Sequence, residues 1–190
     1  MITFYVIFGA ILLFIAIWVV FLYSFTGGLV ETFLHGEAPF VPTKSAHLPE
    51  IAKRMSLDEK SILYDLGCGD ARILVACYRC QPKARYIGYE KDIVPYLWAK
   101  FRLWRMGLLK EIKVYRKDFF EADLSDATHV FLYLSTKQME SLEKKFGNEI
   151  KKNTRVLSLC FKLPNAVPSK SISLKEKKEL YIYEYSCQKA

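Results

Sequence analysis

The sequence predicts an α/β domain built on a mainly parallel sheet with helices on both faces, preceded by one apolar helix long enough to cross a membrane. Three observations predict it. From residue 62 onward, short apolar runs of strand type alternate with segments of helical periodicity, the pattern of a parallel sheet covered on both sides. The first run, Ile62–Leu66, breaks into Gly67-Cys68-Gly69-Asp70, a turn that brings backbone close to a ligand. Ahead of the domain, no charged side chain stands before Glu31.

Ile2 to Phe25 is nearly continuous Ile, Leu, Val, Phe, Tyr and Trp, which meets the roughly 20 apolar residues a bilayer-spanning helix needs. Tyr5, Trp18 and Tyr23 supply interfacial aromatics. A cleaved signal peptide is the competing reading, but it requires Lys or Arg before a core of roughly 7–15 residues. No basic residue precedes this longer run. A buried core helix would carry a polar stripe, and only Thr3, Ser24 and Thr26 are polar here. An uncleaved single-pass anchor over residues 1–27 is therefore expected, with Gly27-Gly28 ending it. Residues 28–50, with Gly36, Pro39, Pro42 and Pro49, read as a stiff linker poor in regular structure. Residues 51–190 are the domain, a single one of ordinary size.

Within the domain, Ile62–Leu66 reads as a buried strand and Arg72–Tyr78 as a short helix. Arg85–Glu90 is a second strand. Asp92–Met106 is helical, with Asp92 as cap and Gly107 as stop. Ile112–Tyr115 is a third strand and His129–Leu134 a strongly apolar fourth. Lys137–Ile150 places Met139, Leu142, Phe146 and Ile150 at helical spacing. Val156–Phe161 is a fifth strand. Ser171–Leu174 and Leu180–Tyr185 follow with no helix between them, which predicts an antiparallel edge hairpin.

The net charge of +8 falls entirely after the apolar segment. Such a basic domain is drawn toward anionic headgroups, at about 1 kcal/mol per well-placed Lys or Arg. No helix-turn-helix, zinc-finger or RNA-recognition signature accompanies the charge, so no nucleic-acid partner is expected. The Lys175, Lys177, Lys178 run reads as solvated surface. Cysteines 68, 77, 80, 160 and 187 are odd in number and lack framework spacing, which argues against a disulfide scaffold. Cys77-x-x-Cys80 has neither a second pair nor a nearby His, so no metal site is expected.

In an open α/β sheet, ligands bind outside the carboxyl ends of the strands, so the residues just past each strand carry the chemistry. They are Gly67-Cys68-Gly69-Asp70 after the first, Glu90 at the end of the second, Asp118-Phe119-Phe120 after the third and Tyr133-Leu134-Ser135-Thr136 after the fourth. Acids flank the glycines at Asp65 and Asp70, which is wrong for a phosphate and right for a ligand with hydroxyls and positive charge. S-adenosylmethionine, with its ammonium, sulfonium and ribose, is such a ligand. A nicotinamide site would require a third glycine where Arg72 stands.

With these residues in place, the sequence resembles the class I S-adenosylmethionine-dependent methyltransferases from about Pro39 to the C-terminus. The resemblance implies a Rossmann-like seven-stranded sheet. It also implies that Asp65, Gly67, Gly69 and Asp70 lie at the methionine part, Glu90 at the ribose, and Asp118 with Phe119 at the adenine. Pro39-Phe40-Val41-Pro42-Thr43, downstream of a single apolar helix, is similar to the pre-methyltransferase motif of the small membrane-anchored protein-lysine methyltransferases. Those enzymes act on the c-ring protein of ATP synthase and on the adenine nucleotide translocase. That likeness implies that Pro42 and Thr43 fold over the cofactor; composition alone reads the same segment as a proline-stiffened linker. The partners it implies are membrane lipid and a protein lysine. The cofactor is made in the cytosol, so the domain is expected to face the cytoplasm, or the matrix if the membrane is mitochondrial, and Lys44, Lys53 and Arg54 agree with the positive-inside rule.

The turn after the fourth strand departs from the Asn/Asp-Pro-Pro-aromatic signature of many amino-group methyltransferases. Tyr133 and, more weakly, Ser135 and Asp70 are the candidates to orient or deprotonate an amine, with core packing the alternative for Tyr133. Arg72 is expected to pair with an acid of the site or to cap its helix. A lipid or quinone acceptor, and a non-catalytic cofactor-binding scaffold, remain the alternative functions. Neither His35, His47 nor His129 stands clearly at the site.

Overall fold

The structure is a computed structural model and describes residues 2–35, 41–151 and 153–185. Gly36, Pro39, Phe40 and Cys187 of the sequence reading lie outside the described residues. The chain divides into two units at Pro39/Phe40.

The first unit is one helix, α1 (Ile2–His35). It contains a stretch, Phe4–Tyr23, long and apolar enough to cross a membrane, and every side chain of that stretch is exposed. The helix does not stop at Gly27-Gly28 as expected but continues to His35. A glycine lowers helix propensity by only about 1 kcal/mol relative to alanine, and no proline follows until Pro39.

The second unit corrects the expectation of an irregular linker up to residue 50. A turn at Ser45–His47 leads into helix α2 (Leu48–Met55). Pro49 stands in the first turn, where a missing N–H costs nothing. Ile51, Ala52 and Met55 bury one stripe, and Ser56 in a left-handed conformation ends the helix. Strand β1 (Ile62–Leu66), helix α3 (Arg72–Cys80), strand β2 (Arg85–Tyr89) and helix α4 (Ile93–Arg105) follow. Strands β3 (Ile112–Tyr115) and β4 (His129–Leu132), helix α5 (Thr136–Glu149) and strands β5 (Thr154–Leu159), β6 (Lys170–Ser173) and β7 (Glu179–Tyr185) complete it.

The seven strands form one sheet in the order β3-β2-β1-β4-β5-β7-β6. β1 to β5 run parallel, and β7 lies antiparallel between β5 and β6. The closing pair is thus the expected hairpin, with its second strand inserted against the parallel sheet. Strand alternation sends Leu63 and Phe131 into the core shared with α2, α3 and α4. Tyr64, Leu66, Val130 and Leu132 go to the opposite core, against Met139, Leu142 and Phe146 of α5. The strand order reverses between β1 and β4, and a ligand crevice belongs outside their carboxyl ends.

Candidate active site

At the end of β1 the backbone turns sharply. Gly67 N–H and Cys68 N–H both donate to the Tyr89 carbonyl at 2.9 Å, which ties the turn to β2. Gly67 has φ +76°, and a Cβ there would sit 2.9 Å from Leu134 Cδ2, so both conformation and space require glycine. Gly88, directly beneath, leaves room for Cys68, whose Sγ would lie 2.7 Å from an added Cβ.

Glu90 closes the cradle from β2. One carboxylate oxygen accepts from Gly69 N–H at 2.8 Å and the other from Asp92 N–H at 2.9 Å. Asp65 lies on the same strand face as Leu63, so a carboxylate occupies a core-facing position and is buried. Its Oδ2 has no hydrogen-bond partner among the described residues. Burial first, and then the neighbouring Glu90 and Asp70 charges, push the Asp65 pKa well above the usual carboxylate range. Burial likewise raises Glu90, against the opposing pull of its backbone donors.

Asp70 behaves differently. Burial works to raise its pKa, but Arg72 and Arg102 outweigh it and hold the carboxyl below its ordinary value. Arg72 grips Asp70 with two hydrogen bonds of 2.8 and 2.6 Å, and Arg102 of α4 adds a third at 2.6 Å. The third arm of Arg72, Nη1, donates to the Thr43 carbonyl at 2.6 Å. Thr43 is buried and Pro42 exposed, so the segment before α2 lies against the start of α3. Arg72 thus pairs with an acid of the loop, as expected, and fixes the upstream segment as well.

On the third strand end, Asp118 caps the following turn by accepting from Phe120 N–H at 2.9 Å. The Phe119 ring is buried in the core, while Phe120, tilted against it at a centroid distance of 4.6 Å, is the exposed ring. After β4, the Tyr133 hydroxyl accepts from Lys178 Nζ at 2.7 Å, and the ammonium lies 5.1 Å from the ring centroid. Ser135 is the N-cap of α5 in a reciprocal capping box with Gln138.

The sequence reading missed Arg102 and Lys178. Arg102 stands three positions after buried Ala99 and next to buried Leu103 in α4, a weak signal that one basic side chain turns inward. Lys178 lies in a lysine run that looked like solvated surface, and nothing in that run points to Tyr133. His129 opens β4 at the opposite end of the sheet, where burial and Arg155 lower its pKa to about 4.

The donor set fits S-adenosylmethionine. A buried carboxylate oxygen without a hydrogen-bond partner among the described residues, a second acid at the end of β2 and a glycine turn without Cβ make an acidic cradle suited to a cation bearing hydroxyls. A phosphate would meet only repulsion from Asp65 and Glu90.

The sequence profile of the ANTKMT methyltransferase domain matches residues 65–170. The chain belongs to this methyltransferase family. Proteins similar to the chain include a protein-lysine N-methyltransferase of Saccharolobus islandicus (strain REY15A), 29% identical over 138 residues, which are 73% of this chain and 86% of that one. The lysine N-methyltransferase of the ATP synthase C-subunit in Xenopus laevis is 30% identical over 130 residues, 68% of this chain and 56% of the relative. The adenine nucleotide translocase lysine N-methyltransferase of Mus musculus is 33% identical over 108 residues, 56% of this chain and 46% of the relative. The chain thus matches about half the length of these two animal proteins. Among solved structures, an RNA methyltransferase from Salinibacter ruber in complex with S-adenosyl-L-homocysteine gives a TM-score of 0.74 at 28% identity, covering 79% of this chain and 97% of that one. The precorrin-6y C5,15-methyltransferase of Geobacter metallireducens shares the fold, with a TM-score of 0.64 at 15% identity over 79% of this chain and 93% of that one. The ANTKMT-family chain is an S-adenosylmethionine-dependent methyltransferase with the seven-stranded sheet of that enzyme class.

Proposed function

We propose that this enzyme is held in a membrane by α1 and methylates a lysine side chain of a membrane or membrane-proximal protein. The observation that carries the acceptor class is the family match itself, whose relatives from an archaeon and from animals are all named lysine N-methyltransferases. The exposed apolar stretch Phe4–Tyr23 supports the anchor. In this reading residues 1–27 are the membrane anchor, 28–50 carry the segment that folds toward the cofactor, and 51–190 are the catalytic domain. The domain faces the compartment that holds the cofactor, the cytoplasm or the mitochondrial matrix. Confinement of enzyme and substrate to one surface raises their effective concentration.

Each residue has a role in this reading. Asp65 stands opposite the positive charge of the methionine part, with Gly67 and Gly69 giving backbone access. Glu90 takes the ribose hydroxyls with the lone pairs its backbone donors leave free. Asp118 takes the exocyclic amine of the adenine, beside the Phe119–Phe120 pair. Asp70, with Arg72, holds the Thr43 carbonyl, so that Pro42 and Thr43 cover the site.

When bound, S-adenosylmethionine supplies an electrophilic methyl group on a sulfonium. The acceptor must arrive with its nitrogen lone pair free, because a lysine ammonium cannot attack. Desolvation lowers the amine pKa by disfavouring the charged form. The Lys178 ammonium beside Tyr133 acts in the same direction, since a second cation nearby disfavours protonation of an incoming amine. Tyr133 is the candidate to align that amine by hydrogen bonding, and alignment is the main demand of an in-line displacement. Ser135 has its hydroxyl committed to the α5 cap.

Radiolabelled methyl transfer to membranes from a strain lacking this protein, followed by mass spectrometry of the labelled band, tests the proposal. Label on a lysine of a membrane protein is the expected result. Label confined to lipid overturns the acceptor class, and no label overturns catalysis.

A further inference from the structure

Helix α4 is apolar on both sides. Its inner face buries Pro95, Ala99 and Leu103. Its outer face carries Ile93, Leu97, Trp98, Phe101 and Trp104, and the last four are 55%, 60%, 49% and 64% exposed. Val94, Leu97, Trp98 and Phe101 line a shallow groove along it. The rings form one run, Trp98–Phe101 at 6.4 Å and Phe101–Trp104 at 5.9 Å between centroids. A helix on the surface of a water-soluble domain should be polar on its outer side, and one that is apolar all round normally has an apolar cover.

Charge decides which cover fits. From Ile93 to Lys110 the chain has Lys100, Arg102, Arg105 and Lys110 and no acid. Arg102 is turned to Asp70, which leaves Lys100 and Arg105 on the helix that carries the aromatic face and Lys110 just beyond its end. A second copy seated on the same face would bring like charges together with no acid on either helix to offset them. An anionic bilayer surface satisfies both features at once. Tryptophans favour the headgroup level, apolar side chains enter the acyl boundary, and cations meet lipid phosphates.

We propose that the outer face of α4 is a second membrane contact, seated in the headgroup region of an anionic bilayer and oriented by Trp98 and Trp104. It rests on the reading that α1 anchors the chain, and it adds what a single helix lacks, a fixed face of the domain toward the lipid. A single tether leaves the catalytic mouth free to point anywhere, whereas two contacts restrict it.

The test uses the full chain with Trp18→Phe, which leaves Trp98 and Trp104 as the tryptophans. The protein is reconstituted into vesicles of phosphatidylcholine, with and without phosphatidylglycerol, and with lipids brominated near the headgroup. Blue-shifted emission, quenching by the brominated lipid and loss of quenching by aqueous iodide are expected, more so with phosphatidylglycerol. Leu97→Asp with Phe101→Asp should restore iodide quenching while circular dichroism stays unchanged. Tryptophans equally open to iodide with and without lipid overturn the contact. Protection that grows with protein density, together with disulfide cross-linking between copies carrying Leu97→Cys, also overturns it and assigns the face to self-association. Alkaline carbonate extraction separates this from the anchor. Release of the chain overturns the anchor reading, whereas retention with iodide-accessible tryptophans overturns only the α4 contact.

Discussion

Arg72 bonds to the carbonyl of Thr43, 29 positions earlier in the chain, at 2.6 Å. The same guanidinium forks onto Asp70. One side chain therefore ties the glycine loop, the start of α3 and the segment ahead of α2 into a single unit. Only a planar, multi-donor head makes these three bonds together, which an ammonium does not reproduce.

Arg72→Lys should accordingly weaken cofactor binding on the order of tenfold, because the loss of one charge-assisted bond is worth roughly 1.5–3 kcal/mol and part of that falls on the free protein. Titration calorimetry with S-adenosylhomocysteine measures it. Protease cleavage between Val41 and Lys44 should become faster in the same variant.

Glu90→Ala and Gly67→Arg should each abolish measurable cofactor binding by calorimetry. The first removes the acid assigned to the ribose and the brace of Gly69 N–H. The second forces a side chain into φ +76° and toward Leu134. Unchanged binding in both variants would sink the site assignment.

Asp65→Asn should raise the melting temperature of the cofactor-free protein and weaken cofactor binding, since it removes a buried acid whose ionisation is opposed by burial and by its acidic neighbours. The sign follows from the raised pKa. The folded form holds its proton more tightly than the unfolded one, so this group costs stability as pH rises through its raised folded value, and the cost is absent below its ordinary value of 3.8. Asp70 has the opposite sign. Its contribution is present above its ordinary value of 3.8 and is lost as pH falls through its lowered folded value. Cofactor affinity should therefore start to fall at a pH above the usual carboxylate range, before the Asp70 pairs break. Melting and calorimetry across pH read the two effects separately.

Tyr133→Phe should lower the methylation rate by about 10²-fold, the scale of a misaligned in-line displacement, with cofactor affinity unchanged. Lys178→Met should shift the pH–rate profile upward, because the incoming amine loses a cation that favours its neutral form. A rate unaltered by either change would assign the pair to packing.

Ser135→Ala should cost about 1 kcal/mol of stability through loss of an N-cap, read as a lower melting temperature, with the turnover rate kept. A large loss of rate at unchanged stability would return Ser135 to the reacting groups.

Much of the fold was legible in the sequence because strands buried on both faces read as continuous apolar runs and helices as spaced ones. The hairpin β6–β7 was visible as well, since no helical segment separates its strands. Helix α2 was hidden behind Pro49, because a proline that ends a helix and one that begins it look alike until the apolar stripe is seen to be buried. The passage of α1 through Gly27-Gly28 was hidden for a related reason: glycine weakens a helix without forbidding it.

By itself the sequence determined the acidic glycine turn, the acids at successive strand ends and the uncharged segment ahead of them, since these depend on residue type and local order. Tertiary structure alone decided that Asp70 is neutralised while Asp65 is not. That difference depends on Arg102, 32 positions beyond Asp70, and on which strand face Asp65 occupies. It likewise decided that Lys178 meets Tyr133 and that α4 turns an aromatic face outward. Long-range pairing is set by how helices pack on the sheet, and no local pattern of residues encodes which distant side chain will fill a given charge.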